Sequence, residues 1–147
     1  MVDFNFNSIM QGALGNYSEQ SAEELTKEYA DYLLDGEKIS MGYHLTRDIL
    51  VFTTLRILFV NKQGATGKKA SFTTIFLDSI VNVDMETAGG GLDDTELSIT
   101  YLENAYHKSN NERLMRQTFE FPKKTDITPL YRSLGNVSIK NRQRINQ

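Results

Sequence analysis

Between Glu37 and Phe121 lie seven short apolar-rich runs separated by turn-forming residues, and in four of them apolar residues return at every second position. After Asp126 they return at helical spacing instead. A period of two puts alternate side chains on opposite faces of a strand, whereas steps of three and four mark one face of a helix. Seven strands followed by one amphipathic helix leave few architectures open. The order predicts an all-β sandwich or partly closed barrel with flanking helices, its open end plugged by the last helix.

The first run sets Ile39, Met41, Tyr43 and Leu45 against Ser40, Gly42 and His44. Residues 49–52 and 56–60 form the next two strands, with Thr53, Thr54 and Leu55 as their turn. A loop with two glycines over 61–69 leads to a strand over 71–77. Val81, Val83 and Met85 share a face over 80–87, and Ala88 to Gly91 break the pattern. Leu97, Ile99 and Tyr101 then share a face over 96–102, and Phe119 and Phe121 over 118–121. The inner face is expected to bury Met41, Ile57 or Phe59, Leu97, Ile99 and Phe119, together with Leu130 and Leu134 from the plug.

Helices are expected on both sides of the strands. Ser21 and Glu24 have capping-box spacing, and Leu25, Tyr29, Tyr32 and Leu33 follow on one face before Gly36. That predicts a helix over 22–34. Upstream, Phe4, Phe6, Ile9, Met10 and Leu14 could dock, but lie among Asn, Gln and Gly. At the other end, Thr125 and Asp126 supply an N-cap, Pro129 fits the first turn, and Ile127, Leu130, Tyr131 and Leu134 form the stripe. Gly135 is expected to stop this helix, leaving 136–147 as a basic tail. The chain thus divides into an N-terminal helical segment (1–36), a strand domain (37–135) and the tail, one structural domain overall. Its 147 residues suffice to bury a core without staples.

Composition removes many functions. Without cysteine there are no disulfides, thiolate metal sites or cysteine nucleophile, and two histidines cannot build a His-rich site. A net charge of −3 argues against a dedicated nucleic-acid binder. The longest apolar runs have four residues, and the start lacks a signal-peptide pattern, so a soluble cytoplasmic protein is expected. Charge is uneven: residues 1–40 hold eight acids and two bases, and residues 122–147 hold six bases and one acid.

Within this frame the chain resembles the bacterial pleckstrin-homology (PH) family, of the short single-domain type. The resemblance rests on Leu34, Gly36 and Glu37; Arg47, Asp48 and Val51 to Thr53; Arg56; and the string Lys62-Gln63-Gly64 with Thr66 to Lys69. Ser79-Ile80, Glu86 to Gly89, and Glu96, Leu97 and Ile99 extend it, so it runs from about Leu14 to Leu134. It implies a seven-stranded orthogonal barrel closed by a C-terminal helix, with no cofactor, and assembly into ring-shaped homo-oligomers. Three features depart from the family pattern: Thr54-Leu55 in the turn, Ile75 to Leu77 without the usual proline, and the extra length of segment 103–117 and of the tail after Gly135.

No motif demands chemistry. The string from Gly64 to Lys69 has two residues between its glycines where a phosphate loop has four, ends in Lys69 and precedes a strand. The stretch that in lipid-binding relatives is basic offers only His44 and Arg47, opposed by Asp48. Lys62, Lys68 and Lys69 are the candidate contacts for an anion or lipid headgroup. His44 faces away from the core, His107 lies in a polar loop, and Asp84, Glu86, Asp93 and Asp94 lack the alternating spacing of a calcium loop. The expected function is therefore a non-catalytic scaffold that binds protein, first of all copies of itself. Leu25, Tyr29, Tyr32, Lys140, Arg142 and Arg144 are its candidate contacts, since acidic start and basic end are complementary. The alternative is a membrane-surface module that binds anionic lipid through residues 62–69 or the basic tail.

Overall fold

A computed structural model describes residues 22–45, 48–63, 68–89, 94–123 and 125–147. Strands β1 (Ile39–His44), β2 (Ile49–Thr53), β3 (Arg56–Gln63) and β4 (Lys69–Phe76) form one antiparallel sheet in the order β1-β2-β3-β4. Strands β5 (Ile80–Glu86), β6 (Thr95–Leu102) and β7 (Leu114–Phe121) form a second antiparallel sheet in sequence order. A short 3-10 turn, Leu77–Ser79, carries the chain from one sheet to the other. The seven expected strands are all present. β7 starts earlier than expected because Leu114 to Gln117 pair with Leu102 back to Ile99.

The inner faces of both sheets enclose one core. Met41, Tyr43, Leu50, Phe52, Ile57, Leu97, Ile99, Phe119 and Phe121 meet there, closed by Leu130 and Leu134 from the last helix. Every residue of the expected inner face lies in this core, with Ile57 fully buried and Phe59 packed against it. Rings of Tyr43 meet Phe52 and Phe121 edge-on, at 5.8 and 5.5 Å between centroids. Such T-shaped pairs add to the gain from burial.

A second core lies on the outer face of the first sheet. Helix α1 (Ala22–Tyr29) packs Leu25 and Tyr29 against Ile39, Ile49, Val51, Leu58 and Val60. The central strand β2 is consequently buried on both faces, which explains its unbroken apolar run. Gly42 lets α1 approach: a methyl there would meet Leu25 Cδ1 at 2.7 Å and the Leu50 carbonyl at 3.3 Å. The helix is shorter than the expected 22–34. It tightens to 3-10 geometry at Ala30–Tyr32, and Leu33 is already extended. Gly36, at φ 77°, then turns the chain into β1. The proposed capping residue Ser21 and the apolar positions from Phe4 to Leu14 lie outside the described residues.

Two bulges alter the expected faces. Pairing shifts between Ile39 and Met41, so Ile39 joins the outer core while Met41 and Tyr43 join the inner one. A similar shift between Ile80 and Asn82 buries Ile80 with Val83 and leaves Val81 half-exposed. One extra residue in a strand flips everything before it, and alternation in sequence cannot show where that happens.

The last helix, α2, runs Thr128–Ile145 and passes straight through Gly135. Gly135 therefore does not stop it, and 136–147 is no separate tail. The buried stripe continues from Leu130, Ser133 and Leu134 to Val137, Ser138 and Asn141. Its last two members, Ser138 and Asn141, are polar and hydrogen-bonded: Ser138 Oγ donates to the Leu134 carbonyl at 2.8 Å and Asn141 Nδ2 to the carbonyls of Leu77 and Ile80. The N-cap position is Ile127, without a side-chain cap, rather than Thr125 or Asp126 as expected, and Asp126 just before it accepts from the Thr128 amide at 3.0 Å. No described helix is long and apolar enough to cross a membrane.

Candidate functional site

The most tightly bonded polar cluster lies beneath the end of α1. Glu37 accepts from Arg56 Nε at 2.8 Å and from a second guanidinium nitrogen at 3.0 Å. Thr53 Oγ1 donates to the same carboxylate at 2.6 Å, and the Leu34 amide at 2.9 Å. Arg56 also donates to Thr74 Oγ1 at 2.9 Å and to the Tyr32 carbonyl at 2.7 Å. Burial pushes the Glu37 carboxyl up, but the bonds from Arg56, Thr53 and Leu34 outweigh it and hold the group below its ordinary range. A carboxylate held ionised, with its partners already in place, fixes the chain leaving α1 onto the β2–β3 turn. It is not poised to move protons.

The second polar cluster surrounds the turn between the sheets. Asn141 Nδ2 donates to the carbonyls of Leu77 and Ile80 at 2.8 and 2.7 Å, while its Oδ1 is buried without a partner among the described residues. Arg142 Nε donates to the Val81 carbonyl at 2.6 Å, and Arg144 to the Asp78 carbonyl at 2.8 Å. The Arg144 guanidinium also lies 3.3 Å from His107 Nδ1. Beside this turn lies a groove of about 360 Å³, floored by Leu55, Phe76 and Leu77 and walled by Lys140, Asn141 and Arg144. Phe76 stays 50% exposed at its rim. Across Phe76 lies a wider hollow of about 500 Å³, reaching from Thr74 to the loop at His107.

Comparison with known proteins identifies the family. Residues 8–138 match the bacterial PH domain. The chain belongs to the bacterial PH domain family. It is 44% identical to an uncharacterized protein, YjqA of Bacillus subtilis (strain 168), over 91 residues, which is 62% of this chain and 73% of that protein. A DUF1696 family protein with a pleckstrin-homology domain from Shewanella loihica PV-4 is 30% identical with a TM-score of 0.65, over 84% of this chain and 98% of that one. A pleckstrin homology domain from Shewanella amazonensis SB2B gives 29% and 0.65, over 88% and 97%. A PH-domain-containing protein from Exiguobacterium sibiricum 255-15, at 22% identity and 0.61 over 85% and 63%, shares the fold. PH domains of this family are generally non-catalytic, and the fold supports an interaction module.

In this bacterial PH domain the residues that carry the resemblance acquire a physical role: Leu34, Glu37, Thr53 and Arg56 form the buried network. Two of the three candidate anion contacts, Lys62 and Lys69, do not converge. Lys62 sits opposite Ala70 and Lys69 opposite Gln63, so the two lysines project from opposite faces of the β3–β4 hairpin. Gly64 to Gly67 and Arg47 lie outside the described residues, as does Asp93 of the acidic group near the triple glycine. Of the candidate oligomer contacts, Leu25 and Tyr29 are buried under their own sheet, at 0% and 4% exposure. Arg142 and Arg144 hold carbonyls of their own chain. Tyr32 and Lys140 remain outward. His44 is exposed as expected. Sequence alone missed Phe76 and Asn141. For Asn141 a signal existed, since 130, 134, 137 and 141 continue the helical stripe.

Proposed function

We propose that this chain is a non-catalytic interaction module that associates with copies of itself, head to tail, into a closed ring. The observation that carries this is the placement of its uncovered apolar side chains. Leu114 and Met115, at 55% and 44% exposure, stand at the start of β7 and project from opposite faces of that edge strand, with Tyr106 in the preceding loop at 71%. Tyr32 and Leu34 stand at the end of α1, over the other sheet, at 51% and 45%. The strands nearest these patches, β7 and β4, are outer strands of their sheets. Two unlike patches that meet between copies form a heterologous contact, which closes into a ring where the rotation allows. The exposed acids of α1 and its neighbourhood, Glu23, Glu24, Asp31 and Asp35, set rate and register against basic surface elsewhere.

Light scattering on the full chain at micromolar concentration tests this. A mass of several chains is expected, and Leu114→Glu with Met115→Glu should reduce it to one. A mass of one chain for the unaltered protein in low and high salt overturns the ring. Sedimentation with phosphatidylserine vesicles is the companion measurement, and co-sedimentation of a monomer would favour the lipid-binding alternative.

A further inference from the structure

We infer that the groove beside the turn between the sheets binds the carboxyl terminus of a peptide whose last residue is apolar. Three features of the groove each name one part of that ligand. Its floor of Leu55, Phe76 and Leu77 is apolar, and Phe76 is half-exposed where the groove opens. An apolar side chain laid there covers a ring that the fold leaves in water. One wall carries Lys140 and Arg144, four residues apart on α2 and therefore on one face. Lys140 makes no ion pair among the described residues. Arg144 uses a terminal nitrogen on the Asp78 carbonyl and His107, which leaves guanidinium donors for an anion. Planar guanidinium and flexible ammonium together suit a carboxylate. Among the described residues of the lining, Asp78 is the only carboxylate.

The third feature is Asn141, between the two cations in sequence. Its amide hydrogens are committed to the Leu77 and Ile80 carbonyls, and its Oδ1 is a buried acceptor with no partner among the described residues. A buried acceptor left unpaired is costly, so a donor that reaches it directly or through one water gains free energy on binding. Apolar side chain, carboxylate and an N–H within two bonds of each other describe a C-terminal residue. A free apolar amino acid carries the same groups, but its nitrogen is an ammonium and would lie beside two cations. The neutral amide N–H of a peptide avoids that repulsion. The volume of about 360 Å³ matches a small-ligand site that holds one or two residues.

The test is fluorescence anisotropy on the full chain with a fluorescein-labelled hexapeptide ending in phenylalanine. Saturable binding is expected. The C-terminal amide of the same peptide should bind about tenfold more weakly or worse, because it loses a charge-assisted contact. Lys140→Glu should cost at least as much and Phe76→Ser should also weaken binding, with melting temperature unchanged for the exposed Lys140. Free phenylalanine should compete poorly. Equal affinity for acid and amide, indifference to Lys140→Glu, or no anisotropy change up to about 1 mM peptide would each overturn the site. Competition by free phenylalanine as strong as by the peptide would overturn the peptide assignment. The groove stands apart from the ring proposal: Leu114→Glu with Met115→Glu should change the mass and spare peptide binding, and Lys140→Glu should do the reverse.

Discussion

Both helices cover an apolar face of the same strand framework, yet they are fastened by opposite means. Helix α1 covers the outer face of the first sheet with eight residues, two of them buried. Its exit is fixed by an ion pair removed from water, Glu37 with Arg56. Helix α2 has eighteen residues and six buried positions, and its far end is fastened by bonds to main-chain carbonyls, from the buried amide of Asn141 and from the exposed guanidinium groups of Arg142 and Arg144. A short helix offers little burial, so its docking leans on a charge network that is costly if broken. A long one gains enough from packing that hydrogen bonds to main-chain carbonyls suffice, with no buried ion pair.

This contrast breaks most visibly at Glu37. Glu37→Ala leaves Arg56 buried with two donors unpaired, and the expected loss is about 3–5 kcal/mol by chemical denaturation. Replacing both partners, Glu37→Leu with Arg56→Met, should recover most of it, because an apolar pair carries no desolvation penalty. A single-variant loss below ~1 kcal/mol would mean that α1 is held by its apolar face alone. The pair also sets a pH window. The folded Glu37 carboxyl lies below its ordinary value, so the stability it confers is complete above the unfolded value, ~4.3. It is lost as pH falls through that value toward the folded one. In Glu37→Gln the part of the acid slope due to this group should vanish.

The plug responds to packing rather than to charge. Leu130 is fully buried where α2 meets both sheets, and Leu130→Ala should cost about 2–5 kcal/mol with little pH dependence. Unchanged melting would mean that α2 does not close the barrel. A smaller effect, about 1–3 kcal/mol, is expected for Asn141→Leu, which strips the donors from the Leu77 and Ile80 carbonyls. Its helix should survive, since Leu130, Leu134 and Val137 still pack. Loss of far-UV helix signal in that variant would show that the amide holds the helix rather than only its end.

How much of this is legible in sequence follows from what period and composition can encode. Alternation locates the strands that bury one face against a common core, and it picks out residues as far apart as Met41 and Phe119, whereas β2 and β3, buried on both faces, read as unbroken apolar runs. It fails at Ile39 and Val81, where a bulge inserts one residue and the pattern carries no mark of it. The Glu37–Arg56 pair is written in the chain only as two charges nineteen residues apart, with nothing to say that both are buried. Tyr29 shows the same limit: its place on the apolar stripe was readable, but not the burial and neighbouring Glu28 that raise its phenol to about 12. The groove escaped notice because its parts come from a turn, a strand end and a helix end that sequence had assigned to a tail.

That last assignment turned on Gly135, and it yields the smallest and most specific prediction. Glycine after an apolar stripe is a common stop signal because the chain there adopts positive φ, which other residues resist. In this fold Gly135 has no positive φ and lies within α2, five residues past Leu130 and ten before the helix ends at Ile145. A methyl group at this position meets only Val83 Cγ1, at 4.0 Å, which is ordinary contact. Glycine inside a helix costs about 0.8–1.0 kcal/mol relative to alanine. Gly135→Ala should therefore stabilise the protein by up to ~1 kcal/mol and raise its melting temperature by a few degrees. If the helix ended here with a left-handed glycine, the same substitution would be strained and would destabilise. The sign of one small shift thus separates a continuous helix from a capped helix with a loose basic tail, and with it the existence of the wall formed by Lys140, Asn141 and Arg144.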